Sequence, residues 1–213
     1  MQVPLAHPVD VAGFHSEATR LLARQVAPAE VIWSAAPAQA IGEEPLDAAR
    51  AAIRNRAARA IIPQSFVRMS ELVVMHRDPL RFDLLYRSLW RLVYEPELRH
   101  DAADHDLARL RQMAQAVRRD VQKMKARLVF RTVPVKGRPI AVAWYEPTHH
   151  VSEVVGAALA RADAATPWIL LTPDRGMYWD GEHLLSAPGI PPPPVGGWPE
   201  QDWAPLLDAL PWT

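Results

Sequence analysis

Two adjacent histidines, His149 and His150, together with Asp174, Tyr178 and Asp180 downstream, are the side chains in this sequence best equipped for chemistry. Imidazole titrates near neutral pH, so a histidine pair suits proton transfer or, when neutral, metal ligation. Thr148 reads as the N-cap of a helix from His149 to about Ala162. The positive end of that helix would disfavour the protonated rings. Neutral imidazoles suit a general base; they suit equally a buried structural role with a hydrogen bond to a carbonyl. Asp174, Tyr178 and Asp180 fall at predicted turns, one with Pro173 at its second position and one built on Asp180-Gly181. Polar side chains at turns either converge on a site or simply make the turn. Catalysis needs these groups to meet in one pocket, and the sequence leaves open whether the chain is an enzyme.

A second constellation is electrostatic. Residues 106–139 hold ten Lys/Arg against two acids, Asp106 and Asp120, a local charge of +8 in a chain of net charge zero. Residues 1–105 carry −1 and residues 140–213 carry −7. A helix spans about 106 to 127, and its apolar stripe is Leu107, Leu110, Ala114, Val117, Val121, Met124 and Leu128. Burying that stripe leaves Arg111, Arg118, Arg119, Lys123 and Lys125 facing outward. The turn of a following hairpin adds Lys136 and Arg138. These seven are the candidate phosphate contacts, and such a face is either simply solvated or points to a polyanion or an acidic protein partner. Asp120 is placed on a flank beside Lys123 and Arg127, where it would pair with one of them. Tyr86, Trp90 and Tyr94 recur every four residues beside Arg87 and Arg91 on a helix from Leu80 to about Tyr94. Tyr86 and Trp90 are candidates to stack on bases; the same stripe equally makes a core edge with its arginines reaching water.

The elements that must position these groups divide the chain. The fold expected is α/β, α+β in detail. A helical half, 1–127, opens with a short β-α-β passage. Asp10 caps its helix, which ends near Val26, and residues 30–33 form its second strand. Residues 34–45 form a Pro/Ala-rich loop and a candidate mobile segment, residues 46–60 are weakly helical, and Pro63 opens a further helix. Asp78 in HRDP would cap the helix beginning at Leu80. Residues 128–190 are β-rich, in the same domain, with a mainly antiparallel sheet of five strands, 128–133, 140–145, 168–172, 177–179 and 183–185. The predicted helix 149–162 packs on that sheet. Residues 191–213 form a Pro/Trp-rich acidic tail that would fold back or meet a partner.

Composition narrows the function classes. With no cysteine there are no disulfides, thiolate zinc sites, Cys-ligated iron–sulfur clusters or cysteine nucleophiles. His100, Asp101, Asp104 and His105 lie in a polar connection without a recognised ligand spacing, so no metal site is expected. No Gly-rich nucleotide loop, hydrolase elbow or metalloprotease motif occurs, and no cofactor is expected. No apolar run is long enough to cross a membrane, and MQVPLAHPVD has no signal-peptide character, so a cytoplasmic location is expected.

Several segments together resemble a known bacterial family. They are HRDPLRFDLLYRSLWRL (76–92), Gln112–Met124, Val142–His150, Trp168–Arg175, Trp179–Gly181 and, more loosely, Asp10–Phe14. The family is of unknown function and linked to DNA metabolism and DNA repair. The resemblance covers about residues 8–190. It implies a setting beside a radical-SAM repair protein, or alongside a uracil-DNA-glycosylase-like domain of the kind fused to other members. It carries over no catalytic residue. Lacking cysteine, this chain cannot itself supply the ligands of a radical-SAM cluster. Three readings therefore stand. One is a DNA-binding accessory protein of a repair or modification system. Another is a nucleic-acid- or nucleotide-processing enzyme using His149 and His150 with the turn carboxylates. The third is an interaction module for a repair partner.

Overall fold

The computed structural model describes residues 1–35, 42–43, 63–101, 103–135, 137–163 and 165–191. Most of the predicted loop 34–45, the weak helix 46–60, Lys136 and all but the first residue of the 191–213 tail lie outside the described residues. The chain divides into two compact units, Met1–Pro37 with Asp47–Arg119 and Ala38–Leu46 with Asp120–Thr213. The architecture is mixed α/β, with a small parallel sheet and a larger, mostly antiparallel one.

In the first unit, β1 (Gln2–Leu5) and β2 (Ile32–Ala35) pair in parallel, joined by α1 (Val11–Ala23). This is the expected β-α-β start. Asp10 caps α1 by accepting from Gly13 N at 2.7 Å. The helix stops at Ala23, short of Val26, because Gln25 takes φ 54. Gln25 N and Val26 N then bond Leu22 O and Leu21 O, the paired bonds of a Schellman ending.

Next come α2 (Gln64–Val74), α3 (Arg81–Tyr94), a 3₁₀ turn (Pro96–His100) and α4 (His105–Arg127). Phe14, Leu21, Val73, Leu85 and Leu110 are buried in one core. The rings of Phe14 and Trp33 lie 5.0 Å apart, and those of Phe14 and Phe82 5.6 Å apart. α3 begins at Arg81, one residue later than expected, since Asp78 turns its carboxylate to Leu80 N at 2.9 Å. Arg81 is buried and donates to three backbone carbonyls, Val74 O, Asp78 O and Pro8 O. Its guanidinium stands over the Phe82 ring. Burial lowers its pKa to about 10, with nearby Asp78 acting against that. Between α1 and α2, His15 Nε2 lies 2.8 Å from Ser70 Oγ. That hydroxyl is already donated to Val67 O, so the imidazole donates. Burial lowers the His15 pKa to about 4.

The second unit is built on a sheet of order β3-β8-β7-β6-β5-β4. Its strands are β3 (Gly42–Glu43), β4 (Arg131–Val135), β5 (Arg138–Trp144), β6 (Trp168–Leu171), β7 (Arg175–Trp179) and β8 (Leu184–Pro188). The five predicted strands are all present, and β3 adds a short edge. All neighbours are antiparallel except β5 and β6, which run in parallel with α5 (Ser152–Ala162) between them in sequence. The β4–β5 hairpin is tighter than expected, pairing up to Val135 and Arg138. Gly137 at φ 78 permits the two-residue connection. Gly156 lets α5 approach the sheet: a Cβ there would lie 3.2 Å from the terminal methyl of Met177. The helix starts at Ser152, not at His149, so both histidines precede it. Thr148 therefore caps no helix.

Candidate functional site

The basic helix α4 buries Leu107, Leu110, Met113, Ala114, Val117 and Met124. Arg111, Arg118, Arg119, Lys123 and Lys125 are exposed along it, as is Arg138 at the start of β5. Lys136 lies outside the described residues. Arg109 is committed to Asp78 at 2.8 Å.

Asp120 corrects the sequence reading. It does not lie on an exposed flank with Lys123 or Arg127; it is 4% exposed and accepts from His149 N at 2.8 Å. It is the one acid between residues 107 and 139. With it turned inward, the exposed side chains of that stretch of helix include no carboxylate.

The stacking expectation is corrected at Tyr86. Its ring is 1% exposed and its hydroxyl donates to Val26 O at 2.7 Å, leaving no face for a base. Burial pushes its pKa up to about 12. Trp90 is partly buried and packs on the Tyr94 ring at 4.4 Å. The flanking arginines are engaged within the unit. Arg87 is paired with Asp106, and Arg91 with Asp104, both at 2.8 Å. The hydrogen bond from Arg87 holds the Asp106 carboxyl below its usual range.

At the other candidate site, the loop after β5 carries His149 and His150 and the loop after β6 carries Asp174. Both loops leave the C-terminal ends of the parallel pair, where crossover sheets commonly hold ligands. Tyr145 N extends the ladder to Leu171 O at 3.0 Å. His149 is 8% exposed with its backbone N–H held by Asp120. Adjacent to it, His150 Nδ1 lies 3.0 Å from Asp174 Oδ2, and both side chains are partly exposed. A carboxylate on Nδ1 selects the tautomer whose Nε2 carries the lone pair, the arrangement of an oriented general base.

Tyr178 and Asp180 do not join this pair. Asp180 lies past the far end of β7 from Asp174, a distance of roughly 20 Å at strand rise. Its Oδ1 accepts from Glu182 N and His183 N, each at 2.7 Å, so it builds the turn. Burial acts to raise its pKa, yet these bonds and His183 hold it low. Tyr178 is set in the register with Ile169 and Leu185, its pKa raised by burial and by nearby Asp180.

Sequence reasoning missed two polar contacts made by residues that follow His150 and flank Asp174 in the chain. Arg175, 9% exposed, bonds Glu153 at 2.8 Å, and Ser152 Oγ lies 3.0 Å from Thr172 Oγ1. An acid at the second position of α5, favoured there by the helix dipole, was the available signal for Glu153. Its partner lies across the crossover and left no local trace. Among the described residues no group of three or more His, Asp or Glu is placed to hold a metal ion. None of the described helices is long and apolar enough to cross a membrane.

No curated protein and no solved structure matches this chain. One family model does, over residues 79–187, from the start of α3 to near the end of β8, and so takes in α4, both histidines and Asp174. On that match across about half its length, the chain belongs to the family described as Domain of unknown function (DUF4130).

Proposed function

We propose that this protein is a DNA-binding accessory component of a DNA repair or modification system, contacting phosphates through the exposed basic side chains of α4. One observation carries the reading: the inward turn of Asp120 leaves Arg118, Arg119, Lys123 and Lys125 on a helix surface without an exposed carboxylate of its own. Such a surface is self-repelling until an anion neutralises it, and a phosphate backbone does so with release of counterions. The resemblance to a family linked to DNA repair supports DNA as that anion. A radical-SAM protein or a uracil-DNA-glycosylase-like protein would be the partner supplying the lesion chemistry. Fluorescence anisotropy with labelled oligonucleotides tests the reading. Binding at low salt is expected, weakened about tenfold or more by Arg118→Glu/Arg119→Glu. Absence of binding at low salt, or indifference to the double reversal, rules it out.

The His150–Asp174 contact favours a second reading, a nucleic-acid-processing enzyme with His150 as general base and Asp174 orienting it. On this reading His150→Ala leaves oligonucleotide affinity intact and abolishes conversion of the bound strand. Unchanged oligonucleotides after prolonged incubation with the wild-type protein would dismiss it.

A further inference from the structure

The His150–Asp174 pair stands on two turns that are each fixed from behind. Asp120 of α4 holds the His149 N–H. Thr172 N bonds Arg175 O at 3.0 Å and Ile190 N bonds Thr172 O at 2.9 Å, which closes the turn carrying Asp174. Gly189 comes so close to that turn that a Cβ there would lie 1.9 Å from Pro173 O. We infer that this pair cleaves a DNA strand at an embedded ribonucleotide, with the substrate's own 2′-hydroxyl as nucleophile, His150 as its base, and Lys123 and Arg127 as the phosphate contacts. The inference rests on the reading of His150 as a general base and adds the substrate and the bond broken.

The pair supplies one oriented base at a partly exposed position. The hydroxyls beside it are not presented to a ligand: Ser152 and Thr172 are buried and bonded to each other. A base without a protein nucleophile is best matched by a substrate that brings one. The ribose 2′-hydroxyl is held next to the phosphorus it attacks, and such intramolecular placement is worth an effective molarity of about 10⁵ M or more. It is also the group that distinguishes ribose from deoxyribose. The phosphate contacts come from α4. Lys123 and Arg127 lie one and two turns beyond Asp120 on its side of the helix, and both are exposed. Asp120 meets the histidine loop, so these cations border it. Tyr145, at the start of that loop, senses the same surroundings: burial raises its pKa, Asp120 raises it further and Arg127 opposes both. A guanidinium forks onto phosphate oxygens and offsets the charge that develops on them. In the reaction His150 Nε2 takes the 2′-hydroxyl proton as the 2′ oxygen bonds to phosphorus. The bond from phosphorus to the 5′ oxygen breaks, and that oxygen leaves with the electron pair and is protonated from solvent. His150 returns its proton to solvent. The products are a 2′,3′-cyclic phosphate and a 5′-hydroxyl, with nothing oxidised and no water consumed.

The test uses the full chain and three labelled single strands of one sequence: all DNA, DNA with one ribonucleotide, and DNA with one 2′-O-methyl ribonucleotide. Cleavage is expected in the second strand alone, on the 3′ side of the ribose. Mass spectrometry at early times should find two fragments whose masses sum to that of the intact strand, the signature of a cyclic phosphate. His150→Ala should slow cleavage about 100-fold or more while affinity, read by anisotropy, stays unchanged. Asp174→Asn should slow it about tenfold or more at saturating protein, again with affinity unchanged. Lys123→Glu/Arg127→Glu should weaken binding of all three strands about tenfold or more. His150-dependent conversion of the all-DNA or the 2′-O-methyl strand overturns the ribonucleotide and leaves the enzyme reading standing. Fragments that together carry one added water from the start overturn the 2′-hydroxyl as nucleophile. Cleavage undiminished in His150→Ala overturns His150 as the base, and unchanged affinity in the Lys123/Arg127 variant overturns the phosphate contacts. Three strands bound and left intact remove this inference and the enzyme reading together, and leave the DNA-binding reading in place.

Discussion

A carboxylate on the most basic helix of the chain acts inside the second unit. Asp120 is buried, and its Oδ2 takes the backbone N–H of His149, fixing the loop that presents His150 to Asp174. A buried N–H left without an acceptor costs about 1–3 kcal/mol. Asp120→Ala is therefore expected to lower the unfolding free energy by about that amount, whereas Asp120→Asn, which keeps an acceptor oxygen, loses much less. Urea unfolding of the three proteins checks this, and equal midpoints for Asp120→Ala and wild type would refute it. The sequence could not place this residue. Periodicity ranks a helix by its apolar positions and leaves every charged side chain to solvent, which pairs Asp120 with Lys123 or Arg127. Its true partner is a backbone group 29 residues away. His150 and Asp174 were legible as candidates by residue type, but their meeting depends on the same long-range geometry.

At the scale of elements, what was legible followed from pattern and turn chemistry. Alternation located all five main strands, and Asp180-Gly181 and Pro173 located the turns between them. Boundaries were less legible, because strand length is set by the partner: β7 runs back to Arg175 to match β6 and β8. The start of α5 misled for a different reason. Thr148 has the right chemistry for a cap, yet His149 is fixed by Asp120 and Val151 N closes a tight turn on His149 O. Regular helix then begins only at Ser152. The aromatic stripe of α3 shows the limit of spacing arguments. Tyr86, Trp90 and Tyr94 are equally spaced, but they run from the core to the surface, 1% exposed at Tyr86 and 46% at Tyr94. Spacing gives a shared face without saying which end of it reaches solvent.

For the whole molecule, zero net charge coexists with +8 over residues 106–139 and −7 beyond them. Long-range attraction for a polyanion should therefore cancel, leaving local contacts to carry affinity. Salt dependence measures that directly, because each phosphate neutralised contributes about 0.7–0.9 to the log–log slope. If Arg111, Arg118, Arg119, Lys123 and Lys125 each meet one phosphate, the slope is about −4. Arg118→Glu should make it shallower by about one unit. Arg20→Glu changes the net charge by the same amount, but Arg20 lies on α1, paired with Glu17. It should leave the slope unchanged. Anisotropy titrations of wild type and both single variants between about 50 and 200 mM salt distinguish the cases. Equal flattening by the two substitutions would mean that net charge, and not the α4 surface, governs binding.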